Sequence, residues 1–360
     1  MSKLEQLINE LCPNGVEYIK LGGICNIQTG KLNANAMVED GIYPFFTCDK
    51  EPYKINDYAF DTEAILISGN GSQVGHINYY NGKFNAYQRT YVLSNFQKYK
   101  IGFILHFLKG ALRNYILINS RKGSIPYITL PMLQNFQIPL PPLPVQEEIV
   151  RILDSFTELT TELTTELTMR KQQYEYYRDS LLTFGEEVEW KKISDVLKIK
   201  NGKDYKQFKE GNIPVYGSGG IMTYIDTFVL DKPSVLIPRK GSIDKLYYVE
   251  NPFWTVDTIF YTEIYTDIVI PKFVFYYLQK EHLEQYNIAG GVPSLTQGVL
   301  NKISFPIPSL EEQQRIVDIL DRFDTLVNDI KEGLPAEIEA RQKQYEYYRD
   351  KLLTFKKLEK

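Results

Sequence analysis

The 360-residue sequence predicts an α+β protein in which two mixed α/β domains are separated by two long antiparallel coiled-coil helices. Three observations carry this prediction. The chain contains an internal pseudo-two-fold repeat, each copy begins with a zone of short strand-like runs, and each copy ends in a long stretch of heptad-spaced apolar residues. The predicted domains are residues 1–144 and 186–309, and the predicted helices are residues 145–185 and 310–360.

The repeat covers nearly the whole chain. RKQQYEYYRDSLLTF at 170–184 returns as RQKQYEYYRDKLLTF at 341–355, with twelve of fifteen positions identical. AILISGNGSQ at 64–73 aligns in the same way with SVLIPRKGSI at 234–243. One polypeptide therefore contains two copies of one unit, and we expect the same fold in both copies.

The first zone of each copy reads as sheet plus one helix. The runs AILIS, RTYVL and SVLIP are rich in β-branched residues and are bounded by glycine or asparagine, which predicts strands. Amphipathic stretches near 101–118 and 272–287 predict one helix in each copy.

The second zone begins after a proline cluster, which ends a strand and prepares a helix start. Apolar and tyrosine positions then recur in steps of three and four, the spacing of a coiled-coil seam, while two ordinary core helices are the alternative. These seam positions are candidates for helix–helix or subunit contacts. They are Ile149, Ile152, Phe156, Leu159, Leu163, Leu167, Tyr174, Tyr177 and Leu181 in the first helix, and Ile316, Ile319, Phe323, Leu326, Ile330, Tyr345, Tyr348 and Leu352 in the second.

Two features interrupt the regular seam. Residues 157–168 read TELT three times, and each tetrad lengthens a helix by ~6 Å, so the array is interpreted as a tunable spacer. The alternative is a low-complexity helical filler. In the second helix, Gly333, Leu334 and Pro335 predict a bend, with Pro335 in the first turn of a restarted segment.

Charge is distributed unevenly along the chain. The formal net charge of −4 argues weakly against a nucleic-acid partner. However, residues 64–146 contain no aspartate or glutamate and eight lysines or arginines, which predicts a cationic half-domain. Chance depletion of acidic residues on a lysine-rich surface is the alternative interpretation.

The sequence shows no sign of a membrane, metal or catalytic site. No apolar run approaches bilayer-spanning length and the N-terminus lacks the layout of a signal peptide, so a cytoplasmic location is expected. The three cysteines form no CxxC pair, which argues against a disulfide framework or a zinc site. The string nearest to an N-P-P-F/Y motif, residues 251–254, has phenylalanine where the second proline is needed, and TGK at 29–31 does not complete a phosphate loop.

This layout resembles the specificity subunit of Type I restriction–modification systems. The resemblance rests on PLPPLPVQEEIVRILDSF and PIPSLEEQQRIVDILDRF at the helix starts, on QYEYYRD near the helix ends, and on the tetrapeptide array. It implies that each mixed domain is a target-recognition domain that reads one half of a bipartite, asymmetric site in double-stranded DNA. The helices would set the gap and dock two modification subunits, which bind S-adenosylmethionine and methylate adenine, and restriction subunits would join that complex. The chain itself would be non-catalytic, without a cofactor.

The candidate DNA contacts are polar residues on glycine-containing loops, because glycine lets the backbone approach a groove while a neighbouring amide or guanidinium reaches a base edge. For each of them, a solvated turn is the alternative. The candidates are Ser68, Asn70, Ser72, Gln73, Gln88, Arg89, Arg121 and Lys122 in the first domain, Tyr216, Ser218, Arg239, Lys240 and Ser242 in the second, and Lys31 and Lys203 as phosphate contacts. Because SGNGSQ differs from PRKGSI, the two half-sites are predicted to differ.

A two-headed coiled-coil scaffold that binds proteins and not DNA is the competing function. It accounts for the repeat, the long helices and the acidic isoelectric point of about 5.7. It does not account for the acid-free stretch from residue 64 to residue 146.

Overall fold

The computed structural model describes residues 2–96, 98–119, 126–287, 289–329 and 332–359. The chain divides into two compact units. The first comprises residues 1–163 and 338–360, and the second comprises residues 164–337. Each unit combines a mixed sheet domain with segments of the long helices, which confirms the α+β class.

The first unit is built on a six-stranded mixed sheet and a two-stranded one. The strand order is β2-β7-β5-β6-β3-β4, in which only the β3–β6 pair is parallel, and β1 pairs with β8. The elements are α1 (Lys3–Leu11), β1 (Glu17–Lys20), β2 (Asn26–Thr29), β3 (Tyr43–Phe46), β4 (Tyr53–Ile55), β5 (Phe60–Ser68), β6 (Ile77–Ala86), β7 (Thr90–Ser94), α2 (Ile101–Asn119), α3 (Leu130–Asn135), β8 (Gln137–Leu140) and the first part of α4 (Leu143–Leu181).

The second unit repeats this plan with smaller sheets. Their orders are β10-β16-β13-β14, β12-β11-β15 and β17-β9. The elements are the last part of α4, β9 (Glu189–Lys192), β10 (Leu197–Asn201), β11 (Glu210–Gly217), β12 (Gly220–Ile225), β13 (Ser234–Pro238), β14 (Tyr247–Val249), β15 (Trp254–Thr255), β16 (Ile259–Ile264), α5 (Pro271–Lys280), α6 (Gln297–Leu300), β17 (Ser304–Ile307), α7 (Leu310–Asn328) and α8 (Leu334–Leu352), whose residues from 338 onward belong to the first unit.

The apolar runs become central strands that are covered on both faces. In β5, Ile65 and Ile67 pack into the cluster that contains α2, while Ala64 and Leu66 pack with aromatic residues on the opposite face. A strand buried on both sides needs a continuous apolar run and not an alternating one. The predicted strands AILIS, RTYVL and SVLIP are confirmed as parts of β5, β7 and β13.

The two predicted domain helices differ in length. The helix expected near 101–118 is confirmed as α2. The one expected over 272–287 is shorter, because α5 ends at Lys280 and His282 takes a left-handed backbone conformation with φ 44°. A 3-10 turn at Leu283–Tyr286 follows.

α2 also corrects the expectation about apolar runs. Among the described residues it is the one helix long and apolar enough, by length and composition alone, to cross a membrane. It is the core helix of the first unit, since Phe103, Ile104, Leu108 and Leu112 are fully buried against the sheet and α4.

The second long helix is interrupted where the sequence predicts it. In place of one helix over 310–360, α7 ends at Asn328 and α8 starts at Leu334, with Pro335 in its first turn, where proline loses no helical hydrogen bond. Gly333 precedes α8, and a Cβ there would lie 2.4 Å from the Thr325 carbonyl oxygen. The seam position Ile330 lies outside the described residues.

α4 and α8 run antiparallel within the first unit. Phe156 of α4 stacks on Tyr348 of α8 at 5.3 Å between ring centroids. His106 of α2 contacts both Asp154 of α4 and Tyr345 of α8. One turn earlier in α2, Phe103 lies beside Phe355, which follows α8, so the C-terminal end of α8 lies toward the N-terminal end of α4. In the second unit, α4 and α7 are joined by Tyr177 and Phe323, whose ring centroids are 5.5 Å apart.

The most deeply buried stripe on each long helix is not the predicted seam. In α4 it comprises Val145, Ile149 and Leu153, of which only Ile149 is a seam position. In α7 it comprises the seam position Ile316 together with Val317 and Leu320, which lie outside the seam, and all three pack into the second unit's own core. Each helix therefore buries one stripe in its domain, and the neighbouring half-buried stripe meets the partner helix. Seam positions Ile152, Leu159, Leu163, Leu167, Leu181 and Ile319 are half-buried, and Leu326 is exposed.

Candidate nucleic-acid interface

The predicted loops of the first unit meet at Gly69. Its N–H donates to the Arg89 carbonyl oxygen at 2.9 Å, and its own carbonyl accepts from the Ile128 N–H at 2.8 Å. A Cβ on Gly69 would lie 2.4 Å from the Arg89 carbonyl oxygen, so a side chain at this position would force the two segments of the first unit to shift. The loop after β5 and the β6–β7 turn are thereby held side by side.

Lys31 lies beside the same turn. The N–H of Gln88 donates to the carbonyl of Leu32 at 2.9 Å, and its side chain donates to Asn33 Oδ1 at 2.8 Å. A phosphate candidate and a base-edge candidate that are 57 residues apart in sequence are therefore neighbours in the fold.

The side chains of these loops are not equally available. Ser68 is only 2% exposed, so its side chain belongs to the frame of the loop and does not face solvent, contrary to the expectation for a base contact. Asn70 accepts a hydrogen bond from Cys48 Sγ at 3.2 Å and is half-buried. Ser72 is exposed and Gln73 half-buried, on a turn held by the positive-φ residue Gly71.

Lys31 and Arg89 are exposed cations. Neither side chain has an ion-pair or hydrogen-bond partner within the part of the chain that the structure describes. The candidates Arg121 and Lys122 lie outside the described residues.

The second unit has the same loop junction. Arg239 takes the place of Gly69: its N–H donates to the Thr258 carbonyl at 2.9 Å, and its carbonyl accepts from the Leu295 N–H at 2.9 Å. The Arg239 guanidinium lies 5.7 Å from the ring centroid of Phe260, which leaves the side chain half-buried. Lys240 and Ser242 are exposed on the turn that Gly241 shapes with φ 82°.

The β11–β12 turn lies next to this loop. A Cβ on Gly241 would be 4.0 Å from Ser218 Oγ, and the Ser218 carbonyl accepts from the Tyr247 hydroxyl at 3.2 Å. Tyr216 and Ser218 are half-buried, and burial raises the pKa of the Tyr216 hydroxyl, so it remains a neutral donor at neutral pH. Exposed Lys203 is near because its N–H donates to Thr255, which pairs with Tyr216.

Sequence reasoning missed one loop of the second unit. Gly241 donates to Pro293 at 3.0 Å, and Lys240 forms a bridge with Ser294, so the segment 289–294 borders the candidate surface. The signal was in the repeat, since residues 292–295 (VPSL) align with 125–128 (IPYI), which follow the candidate pair Arg121 and Lys122.

The most exposed tyrosine of the repeated QYEYYRD segment is Tyr176 in the first copy and Tyr347 in the second, and the seam position Tyr177 is 40% exposed. Tyr174 is 6% exposed and Tyr345 and Tyr348 are half-buried, whereas Tyr176 is 70% exposed and Tyr347 61%. Each exposed ring lies edge-on to the next tyrosine, at 5.6 Å from Tyr177 and 5.3 Å from Tyr348. Heptad reasoning missed these two positions because they lie off the seam.

Among the residues described, no three or more His, Cys, Asp or Glu side chains lie close enough to hold a metal ion. The candidate surfaces contain loops, cations and amides, which suit hydrogen bonding to base edges and phosphates.

Comparison with known proteins agrees with this geometry. A family model described as "Type I restriction modification DNA specificity domain" matches the chain twice, over residues 13–170 and 185–340. A Haemophilus influenzae protein named as a type I restriction enzyme specificity subunit is 32% identical over 374 residues, covering 94% of this chain and 96% of its own. An Escherichia coli type I specificity subunit is 39% identical over 247 residues, covering 60% of this chain and 61% of its own.

Solved structures show the same fold. The crystal structure of a Type I S subunit from M. genitalium superposes with a TM-score of 0.62 at 18% identity, covering 94% of this chain and 96% of that chain. A chain from a study of complex assembly in the type I R-M system gives a TM-score of 0.58 at 16% identity, covering 95% and 98%. With the family matched twice along its length, the chain belongs to the Type I restriction–modification DNA specificity family and is a DNA-recognition subunit.

Proposed function

We propose that the protein reads a bipartite, asymmetric DNA target, with the loops of each unit contacting one half-site and the long helices fixing the gap. The observation that carries this proposal is the shared loop junction. The same pair of backbone hydrogen bonds organises both units, at Gly69 in the first and at Arg239 in the second. The two units share this backbone arrangement but carry different side chains on it, which supports recognition of two different half-sites.

The candidate readers are the exposed or half-buried polar residues on these frames. In the first unit they are Asn70, Ser72, Gln73, Gln88 and Arg89, and in the second Tyr216, Ser218, Arg239, Lys240 and Ser242. Lys31 and Lys203 are assigned to phosphates because each follows a buried glycine at the edge of its frame. Amides and guanidinium groups are the side chains that distinguish base pairs in the major groove.

Sequencing the methylated adenines of a host that carries this chain with its modification and restriction subunits tests the assignment. We expect a motif in two unlike parts separated by a fixed gap of unspecified bases. A continuous or palindromic motif would contradict the proposal.

The two most exposed tyrosines of the repeated peptide are assigned to docking of two modification subunits. Tyr176 and Tyr347 occupy equivalent places in identical peptides, so each copy offers the same surface, as two copies of one partner require. Exposed aromatic residues are typical anchors of protein interfaces. S-adenosylmethionine binding, methyl transfer and cleavage then belong to the partner subunits, and the complex works in the cytoplasm. The family model and the relatives named above are specificity domains and subunits, so they lend nothing to a DNA-independent scaffold.

Native mass spectrometry of the assembled complex tests the docking assignment. Tyr176→Ala and Tyr347→Ala should each lose one of two modification subunits, and the double variant should lose both. Tyr265→Ala, at a 39% exposed tyrosine outside the repeat peptide, is the matched control. A double variant that still binds two modification subunits would refute the docking role of these tyrosines.

A further inference from the structure

The first unit contains a cleft that the loop junction does not include. It has a volume of about 490 Å³ and lies between the segment that follows Gly71 and the helix α2. Its polar lining comes from three separate segments: Lys50, the stretch with Ser72, Gln73 and His76, and Lys109 with Arg113 on α2. We call this space the basic cleft, after its three cations Lys50, Lys109 and Arg113.

The three cations of the basic cleft are uncompensated. Lys50, Lys109 and Arg113 are exposed, and none has an ion-pair or side-chain hydrogen-bond partner among the residues that the structure describes. Lys109 and Arg113 are four positions apart on one helix and therefore share a face. Like charges gathered in one concave space repel each other, and a bound anion relieves that repulsion.

The pKa of Lys109 also indicates a cationic environment. Partial burial of its ammonium group lowers its pKa, Asp154 opposes this, and Arg349 lowers the pKa further. Asp154 is already hydrogen-bonded to His106 Nε2 at 2.9 Å. Lys109 is thus affected by a second cation, Arg349, and the carboxylate that opposes this effect, Asp154, also bonds an imidazole.

The second unit has the matching cleft with the opposite charge. Its lining includes Leu278, Gln279 and Leu283, which the repeat aligns with Leu108, Lys109 and Arg113, and its volume is about 190 Å³. Three carboxylates, Glu175, Asp244 and Glu284, contribute to that lining together with Arg178 and His282. The fold therefore does not need cations at this place. Since the second unit has Gln279 and Leu283 where the first has Lys109 and Arg113, the cations of the first copy point to a ligand.

We propose that the basic cleft binds the sugar-phosphate backbone of the DNA beside the first half-site, and that the second unit makes no equivalent contact in its matching cleft. This inference rests on the proposed DNA-reading function. The chemistry is that of phosphodiester recognition, in which the two lysines and the arginine neutralise the phosphate charge. The turn that contains Ser72 also follows the loop junction at Gly69, so a backbone held in the cleft would fix the register of the reading loop.

Phosphate contacts have a distinct signature. Each one releases counterions, so the logarithm of the binding constant falls with the logarithm of salt concentration by a slope of about 0.9 per contact. They carry no direct sequence information, so their loss weakens target and non-target DNA alike. The basic cleft should therefore control affinity and salt dependence without changing the sequence that is read.

The test uses the chain assembled with its modification subunits and two fluorescent duplexes, one with the methylated motif and one with that motif scrambled. Binding is measured by anisotropy over a series of salt concentrations. We expect the triple variant Lys50→Gln, Lys109→Gln and Arg113→Gln to reduce the salt slope by about 2 to 3. The ratio of affinities for the two duplexes should stay at the wild-type value.

Two controls separate charge loss at this place from other effects. Lys109→Arg with Arg113→Lys keeps both charges and should keep the wild-type slope. Lys198→Gln, Lys209→Gln and Lys232→Gln remove three exposed lysines of the second unit and should also leave the slope unchanged. Melting curves of all variants establish that they fold.

The outcomes distinguish this inference from the function on which it rests. A triple cleft variant that binds with the wild-type slope, while the wild type prefers its motif, overturns the basic cleft alone. A second-unit triple variant that loses as much slope as the cleft variant also overturns it. A wild-type complex with no preference between the duplexes overturns the proposed function as well.

Discussion

His106 shows how one buried side chain joins three helices of the first unit. It is 2% exposed, with Nε2 at 2.9 Å from Asp154 Oδ1 and Nδ1 at 2.8 Å from the Tyr345 hydroxyl. A neutral imidazole satisfies both neighbours by donating from Nε2 to Asp154 and accepting at Nδ1 from Tyr345. The second unit has Tyr276 at the aligned position, and its hydroxyl donates to Asp321 at 2.5 Å. In both units a side chain of the domain helix, α2 or α5, thus contacts this aspartate, and in the second unit Lys272 also donates to it at 2.7 Å.

His106 should make the first unit sensitive to acid. Burial lowers its pKa below the ordinary 6.5, Asp154 opposes this, and Lys109 and Arg349 lower the pKa further. As pH falls through 6.5, the unfolded chain takes up the proton first, so the free energy of unfolding decreases. Above that pH the imidazole is neutral in both states and the effect is absent.

Thermal unfolding between pH 7.5 and 5.5 measures this effect. We expect His106→Tyr, which copies the second unit, to reduce the fall in melting temperature across this range. His282→Asn, at a histidine whose side chain is 59% exposed, is the matched control and should melt with the wild-type pH dependence. An equal fall in the wild type and in His106→Tyr would refute the role of this imidazole.

At the residue scale the sequence predicted the candidate DNA-reading loops of both units but not the basic cleft. The glycine-containing runs at 68–73 and 239–242 were predicted as candidate loops, and each lies at the loop junction of its unit. Glycine is a usable signal because it marks close approach of the backbone. The basic cleft was missed since Lys50 and Lys109 lie 59 positions apart and only folding brings them to one space. The burial of Ser68 was also missed, because Ser68 is the last residue of β5 and its exposure depends on how that strand packs in the folded sheet.

At the scale of elements, a buried glutamine anchors each long helix to its domain. Gln146, near the start of α4, accepts from the Lys100 N–H at 3.1 Å and donates to the Pro141 carbonyl at 2.7 Å. Gln313, near the start of α7, accepts from the Ile270 N–H at 2.8 Å and donates to the carbonyls of Ile268 and Pro308. In both units the glutamine satisfies a backbone N–H just before α2 or α5, which has no partner within that helix.

Replacing these glutamines by leucine should destabilise the protein. Each backbone group left buried without a partner costs about 1 to 3 kcal/mol, so Gln313→Leu, with three bonds, should lower the free energy of unfolding more than Gln146→Leu, with two. Chemical denaturation followed by circular dichroism provides the measurement. Gln314→Leu, one position further on an exposed face, should change stability by less than about 0.5 kcal/mol. Wild-type stability in Gln313→Leu would contradict the anchoring role.

The long helices were predictable as elements but not in their contacts. Steps of three and four indicated α4, and Gly333 with Pro335 indicated the interruption before α8. A heptad pattern does not tell which of two adjacent stripes faces a domain and which faces a helix. Leu153 and Leu320 were therefore missed, although each is fully buried.

At the scale of the whole molecule, the tetrapeptide array is the segment proposed to vary in length, and Leu167 of its last tetrad packs against the core of the second unit. The boundary between the two compact units falls inside it, after Leu163. The Thr160 hydroxyl donates to the Phe156 carbonyl at 2.8 Å, and the Thr168 hydroxyl donates to the Thr164 carbonyl at 3.0 Å. Both hydroxyls therefore bond to backbone carbonyls of the same helix. The repeat in the sequence predicted both units, and the proposal that the array sets the gap rests on the unit boundary that falls within it.

The direct test of that proposal is methylome sequencing of hosts whose chain carries two, three or four TELT tetrads, together with its partner subunits. Each tetrad adds ~6 Å of helix against a rise of ~3.4 Å per base pair, so the gap should change by one or two base pairs per tetrad while both half-sites keep their bases. Thr161→Ala with Thr165→Ala keeps the length and should keep the gap. Half-sites that change while the gap stays fixed would contradict the account.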